Sequence, residues 1–461
     1  MRPPPPPAPE AAALAAVPST LARRAGLLPL TLRDGVLRVG TAAASGTAPD
    51  DAAARRRAEV LEEVRVRAGA VAVETVPVVD PVAGLLLAEA GRTLASATTG
   101  GTDAVAVVDA ALDAAVGRDA SDVHLEPTPE GLRLRLRRDG DLHDLATLPA
   151  ALRDAVVARI KVRAGLDVAE RRAAQDGRMV HPTPGGDVAV RVATLPARHG
   201  ERVTLRLLPR GPAAALDRLG LPGAVVAALA GAGAARDGMV VLCGPTGSGK
   251  TTTLHALLGR LAGGPRAVMT LEDPVEREVP GATQTQVDAA AGLTFAAGLR
   301  HLLRHDPDVL LVGEVRDAET AVLALEAART GHLVLTTLHA VDAPGAVDRL
   351  ADLGLPAARV VPVLRLIVAQ RLHAVPCPGC AAGGCRDCDG TGTRGRTAVA
   401  EAVAFDAALR ADVLGAPDAA GRRRLLDAAA HPRLDDLPAA RAAAGPARTG
   451  AVLAAAPGGR T

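Results

Sequence analysis

The chain has 461 residues, room for about three domains, and its 53 Lys+Arg against 51 Asp+Glu leave a net charge of +2, so no global field draws it to nucleic acid or lipid. Phe295 and Phe405 are the only aromatic residues, with no Trp and no Tyr, which largely removes base stacking as a mode of binding. No apolar stretch reaches the length of a membrane-spanning helix, and Met1-Arg2 followed by five prolines has no apolar core like that of a signal peptide.

In chain order, residues 1–18 are Pro- and Ala-rich and read as a disordered leader. Residues 19–91 read as a small α/β unit for docking or packing. It has a short helix from near Leu21 ending before Pro29, a strand over Val36–Val39, a charged helix over Ala52–Ala68 and a strand over Val71–Val79. Residues 92–103 read as a linker. Residues 104–208 form a second unit. Val105–Val116 and Leu152–Leu166 are expected helices, while Leu132, Leu134 and Leu136 alternate with Arg133, Arg135 and Arg137 as in a half-buried strand. Val188–Val192 and Val203–Leu207 alternate in the same way across Pro-Ala-Arg-His-Gly, which suggests a hairpin. Arg191 and Arg206 would then project from one polar face. That face is either simply solvated or brings arginines to a nucleotide. Residues 209–220 look like a hinge. A core over 221–405 follows, and then 406–461, helical and Ala-rich with a loose tail from 443.

The core begins with Met239–Cys243, an unbroken apolar run that suits a parallel strand buried on both faces. Gly244-Pro245-Thr246-Gly247-Ser248-Gly249-Lys250-Thr251-Thr252 then fills every fixed position of the phosphate-loop pattern, and Leu254, Leu257, Leu258 and Leu261 continue at helical spacing. Strand, loop and helix are the context this motif needs. Glycines let successive backbone N–H groups curl around phosphate oxygens, and the helix N-terminus adds donors and partial positive charge. Lys250 supplies a point charge to the outer phosphates, and the Thr251 hydroxyl can ligate magnesium. Cys243, on the preceding strand, reads as a small buried apolar residue.

Two acid clusters follow, each after an apolar strand, where open α/β sheets place their ligands. Glu272 leads Glu272-Asp273-Pro274-Val275-Glu276, and Glu314 leads Glu314-Val315-Arg316-Asp317. Hydrolysis needs one carboxylate to hold hydrated magnesium and another to orient water; these two fit, without a division of labour. A third strand, Thr330–His339, carries two histidines. His339, and less so His332, is a candidate sensor of the terminal phosphate. Cys377, Cys380, Cys385 and Cys388 are spaced C-x2-C-x4-C-x2-C, as for a closed structural zinc site in a reducing compartment, with Gly383 and Gly384 helping the short link to turn. Free thiols or a redox pair are the alternatives.

Several stretches together resemble the secretion ATPase family that drives type II secretion and type IV pilus assembly. They are Ala120-Ser121-Asp122-Val123-His124-Leu125-Glu126-Pro127, Glu170–Arg178, Arg191–Pro196 with Gly200-Glu201-Arg202, the phosphate loop, both acid clusters, the His-bearing strand and Ala369-Gln370-Arg371-Leu372. The resemblance covers roughly residues 19–405. It implies an α/β architecture: a RecA-like P-loop core, a PAS-like α+β second domain, a small N-terminal α/β domain and a zinc-binding insertion.

It also implies a cytoplasmic homohexamer using ATP, Mg2+ and Zn2+, with nucleotide at the seam between the second domain and the core. Arg191 and Arg206 match the family's arginines that reach into that seam. The implied partners are an inner-membrane platform protein and, through the N-terminal domain, a docking protein at the cytoplasmic membrane. Membrane contact would be made only through partners, and nucleic acid not bound directly. Departures are Ala174 where the family usually has proline, Arg138 where it has an apolar residue, cysteine pairs closer than in many members, and a poorly matching C-terminal part. The alternative readings are a P-loop motor acting on nucleic acid and a relative that binds ATP without hydrolysing it. Near-neutral charge and scarce aromatics argue against the first, and Lys250, Thr251, Glu272 and Glu314 against the second.

Overall fold

The computed structural model describes residues 9–42, 51–78, 81–98, 103–209, 211, 213–380, 383–385, 388, 390–432 and 434. The chain divides into two compact units, Met1–Arg210 and Gly211–Thr461.

The first unit opens with helices α1 (Ala11–Ala16) and α2 (Ser19–Ala25), strands β1 (Leu27–Arg33) and β2 (Val36–Ala42), helix α3 (Asp51–Arg67), strand β3 (Ala72–Val78) and helix α4 (Pro81–Thr98). β1 pairs antiparallel with β2, and β2 parallel with β3. Three sequence expectations change here. Residues 1–8 lie outside the described residues, but α1 is a helix. Ala13, Leu14 and Val17 are buried with Leu30 of β1 in one apolar cluster, and Glu10 N–H donates to the Leu30 carbonyl. Residues 27–33 are a strand in spite of Pro29, which a strand tolerates at a sheet edge. Most of the expected linker is helix: α4 runs to Thr98, and Ala90, Leu94 and Ala97 recur at helical spacing and bury themselves in the core of the following sheet.

That sheet follows α5 (Ala104–Gly117) and is built from β4 (Asp122–Pro127), β5 (Gly131–Arg138), β6 (Asp141–Pro149), helix α6 (Ala150–Ala164), β7 (Gln175–His181), β8 (Val188–Ala197) and β9 (Gly200–Leu207). Its strand order is β6-β5-β4-β9-β8-β7, and every pair is antiparallel. Alternate residues of its strands, such as Leu132, Leu134, Leu136, Val190, Val192, Val203 and Leu205, face one core. β8 and β9 form the expected hairpin, with Arg191 directly opposite Arg206.

In the second unit, Leu216–Arg218 form one 3-10 turn, and Leu216 is buried in that unit's core. The elements then alternate: α7 (Gly223–Ala234), β10 (Gly238–Cys243), α8 (Lys250–Ala262), β11 (Val268–Glu272), β12 (Ala282–Gln286), α9 (Phe295–Leu302), β13 (Val309–Val312), α10 (Ala318–Arg329), β14 (Leu333–Leu338), α11 (Ala343–Asp352), α12 (Ala357–Val360), β15 (Leu364–Pro376), β16 (Thr393–Ala404), α13 (Ala407–Gly415) and α14 (Ala419–Ala429). The sheet order is β12-β11-β13-β14-β10-β15-β16, parallel except for β16. β10 lies inside the sheet and is buried along its whole length. Met239, Val241 and Cys243 pack into one apolar layer, Val240 and Leu242 into the other. This explains why its sequence is continuously apolar instead of alternating. Residues 406–434 are mainly helical through α13 and α14, His431 forms an antiparallel bridge with Ala402, and the tail from 435 lies outside the described residues. Among the described residues no helix is long and apolar enough to cross a membrane.

Candidate active site

β10, β11, β13 and β14 run parallel, so Gly244, Glu272, Glu314 and His339 all leave the sheet at one edge. The phosphate loop bridges β10 and α8. Gly244, Gly247 and Gly249 have φ of +147°, +75° and +87°, a region that side chains disfavour. Two of them have a second reason to be glycine. A Cβ on Gly244 would lie 2.3 Å from the Gln370 carbonyl oxygen, and one on Gly249 would lie 2.8 Å from Gln370 Nε2. Gln370, on β15, is buried. Its Nε2 donates to the Ser248 carbonyl at 2.8 Å, and its Oε1 accepts from Thr253 Oγ1 at 2.8 Å. This amide clamps the loop from beneath. Sequence reading quoted Gln370 as part of a motif but gave it no role; a polar residue within an apolar strand was the available signal.

Pro245, Thr246 and Gly247 are exposed at the tip, Ser248 is buried, and Thr251 and Thr252 are half-buried in the first turn of α8. The Lys250 ammonium donates to the Gly244 and Pro245 carbonyls, each at 2.9 Å. Desolvation pulls its pKa below the usual lysine value, against the opposing influence of Cys243 and Glu314. Cys243 is fully buried and burial pushes its thiol up to about 12, so it behaves as the small apolar residue expected.

Glu314 follows β13, its side chain mostly buried. It pairs with Arg316, and its Oε2 lies 3.6 Å from His339 Nε2. The strand ends around it are knitted together: Gly313 N–H donates to Leu271 O at 2.8 Å, and Thr337 Oγ1 to Gly313 O at 2.7 Å. His332 is elsewhere. It precedes β14 and its Nδ1 is 2.9 Å from Ala327 O, so the two histidines sit at opposite ends of the strand and only His339 is at the site.

Glu272 closes β11 and is more deeply buried than its neighbours in the acid cluster. Its Oε1 accepts from Thr270 Oγ1 at 2.7 Å and from Gln284 Nε2 at 2.9 Å, and its Oε2 is 2.7 Å from His255 Nε2. Desolvation alone would raise its pKa. The three hydrogen bonds outweigh it and hold the carboxyl below its ordinary value, hence ionised. His255 and Gln284 were not singled out from sequence, because only the fold brings them to Glu272.

In the first unit, Arg191 and Arg206 belong to a row that crosses five strands in register: Arg178, Arg191, Arg206, Asp122 and Arg137. Arg206 Nε donates to Asp122 Oδ1 at 2.8 Å, and Asp122 is buried. Four guanidiniums share this row with one carboxylate. Like charges directly opposite on neighbouring strands are destabilising, and Arg178, Arg191 and Arg206 follow one another in that way.

The four cysteines converge between β15 and β16. Their Sγ atoms all lie within 4.8 Å of one another, with Cys377–Cys385 at 3.7 Å, Cys380–Cys388 at 3.7 Å and Cys385–Cys388 at 3.8 Å. A tetrahedral ion with Zn–S bonds of about 2.3 Å separates its sulfurs by about 3.8 Å, so the donor set is compatible with zinc. Desolvation disfavours the Cys388 thiolate, but N–H donors from Cys385 (3.1 Å) and Gly392 (3.2 Å) prevail and bring it to about 6. The short link turns through Gly384, at φ +83°, where a Cβ would meet Gly390 O at 2.7 Å.

Comparison with known proteins agrees with this geometry. The family model described as "Type II/IV secretion system protein" matches residues 99–429. The type II secretion system protein HxcR of Pseudomonas aeruginosa is 42% identical over 322 residues, 68% of this chain and 69% of that protein. The type II secretion system protein E of Klebsiella pneumoniae is 43% identical over 331 residues, 66% of each. The type IV pilus assembly ATPase PilB of Myxococcus xanthus is 40% identical over 346 residues, 68% of this chain and 61% of that one. Among solved structures, the Legionella pneumophila ATPase DotB superposes with a TM-score of 0.56 at 26% identity, covering 70% of this chain and 88% of that one. A phosphate loop and two strand-end carboxylates on a parallel sheet, with a match over most of the sequence, make this chain an ATPase that belongs to the type II/IV secretion system family.

Proposed function

We propose that this ATPase is a motor that powers assembly of a type II secretion pseudopilus or a type IV pilus. It would work as a homohexamer in the cytoplasm, at the inner membrane. Its partners would be an inner-membrane platform protein and, through residues 19–91, a docking protein. The observation that carries the reading is the shared edge of the parallel sheet, where Lys250, Glu272, Glu314 and His339 emerge together. On this reading Lys250 and the backbone of Gly244–Thr252 bind the phosphates, and Thr251 holds magnesium, which supplies charge neutralisation there. His339 senses the terminal phosphate through Glu314. Arg191 and Arg206 would add charge to the transferring phosphoryl group. Residues 209–220 would absorb the movement that couples hydrolysis to work.

The test is stimulation. ATP hydrolysis by the intact chain should rise several-fold with the cytoplasmic part of a cognate platform protein and not with single-stranded DNA. The reverse pattern would move the chain to the nucleic-acid motors. Light scattering with ATP should report six subunits; a monomer active at every concentration would remove the hexamer.

Zinc in the cysteine cluster belongs to the same proposal. Metal analysis of protein purified reduced and without chelator should give about one zinc per chain. The Cys377→Ser/Cys388→Ser variant should give none and melt at lower temperature. Metal-free wild-type protein would leave four ordinary thiols.

A further inference from the structure

We infer that His255 is a positioning residue for hydrolysis, fixing the Glu272 carboxylate to the helix that begins at the phosphate loop. The inference rests on the reading of Glu272 as a carboxylate of the hydrolytic site. His255 lies five residues beyond Lys250 on α8, about 7.5 Å further along the axis. It is 1% exposed, and its Nε2 is 2.7 Å from Glu272 Oε2. An ionised carboxylate only accepts, so Nε2 carries the proton and donates.

The other two donors come from elements that do not touch phosphate. Thr270 is on β11 itself, and Gln284 is on the neighbouring β12, where it also accepts from Val279 N–H at 2.7 Å and donates to Arg277 O at 2.9 Å. They hold Oε1 to the sheet. Among the described residues His255 alone holds Oε2, and it alone reaches Glu272 from the helix whose first turn follows the phosphate loop. Without it, one carboxylate oxygen loses its charge-assisted bond while buried, and the remaining oxygen can pivot about the Thr270–Gln284 anchor. A reacting group displaced by an ångström loses rate without losing substrate affinity.

The imidazole also lines a cavity of about 530 Å³ bordered by Leu216, Val226, Ala256, Gly259 and Val279. Truncating His255 to alanine would add its volume to this cavity, which makes room for imidazole in a chemical rescue.

The experiment compares steady-state ATP hydrolysis of wild type, Glu272→Gln, His255→Phe, His255→Gln and Glu272→Gln/His255→Phe, each checked by thermal melting. His255→Phe should lower kcat by about 10- to 100-fold with KM for ATP within about twofold. His255→Gln, whose amide N–H can stand in for Nε2–H, should recover most of the rate, and the double variant should be no slower than Glu272→Gln alone. If Glu272→Gln is inactive while His255→Phe turns over like wild type, or if the Gln and Phe variants are equally slow, the inference is wrong and the reading of Glu272 stands. If Glu272→Gln is itself fully active, that reading fails and the inference falls with it. Should His255→Phe not fold, His255→Ala with added imidazole replaces it: a kcat that rises with imidazole supports the inference, and a flat response overturns it.

Discussion

Replacing Lys250 with alanine is expected to cut ATP hydrolysis by at least about 100-fold, in line with the loss of a fixed charge at a site of phosphoryl transfer. Lys250 is the one cation in the phosphate loop, and the residue is 8% exposed. It is also held by the Gly244 and Pro245 carbonyls, so its position is set by the loop it serves. Phosphate release against ATP concentration gives the answer, with a melting curve to show that the loop clamp through Gln370 survives. Equal rates for the variant and wild type would place hydrolysis somewhere other than this loop.

The second large effect is expected from the arginine row. Arg191→Ala and Arg206→Ala should each lower kcat by about 10²-fold or more, because an arginine brought to the transferring group is worth about 10³ to 10⁵ in comparable enzymes. ATP binding, read with a fluorescent analogue, should weaken much less. The two variants should differ in stability. Arg206 is the partner of buried Asp122, so its removal leaves that carboxylate without its ion pair. The Arg206 side chain is 64% exposed, so solvent screens the pair and the loss should be about 1 kcal/mol or less. Wild-type kcat in both variants would leave the row as a solvated basic face, the other reading its alternation allowed.

The nucleotide core was legible because each of its signals is local. A phosphate loop must be contiguous, its strand must be apolar when both faces are covered, and carboxylates at strand ends sit next to the apolar runs that deliver them. The cysteine spacing is local too. That Arg191 and Arg206 share one face was legible for a related reason: two alternating runs across a short turn suggest a hairpin, and a period of two puts both arginines on its polar side; their direct opposition comes from the structure.

What escaped were residues whose meaning depends on a distant neighbour. The end of α4, residues 92–98, read as part of a linker because Thr93, Ser96 and Thr98 weaken its helical signal. Ala90, Leu94 and Ala97 become a packing face only because the β4–β9 sheet offers a core to receive them. β1 was missed at Pro29, and β4, the strand that sets Asp122 beside Arg206, was quoted as a motif without its role in the row. His332 was kept beside His339 as a weaker candidate seven residues away, yet a strand separates its two ends, and only one end carries the site.

Sequence alone determined the chemistry available to this chain: a phosphate loop, two acids at strand ends, a thiol tetrad and paired arginines on one face, because each is a pattern of adjacent or regularly spaced residues. Tertiary structure decided the company those groups keep. Gln370 under the loop, His255 and Gln284 on Glu272, and Asp122 against Arg206 come from positions 12 to 122 residues away. Hydrogen bonds of that kind leave no period in a sequence, since they exist only once separate elements have packed.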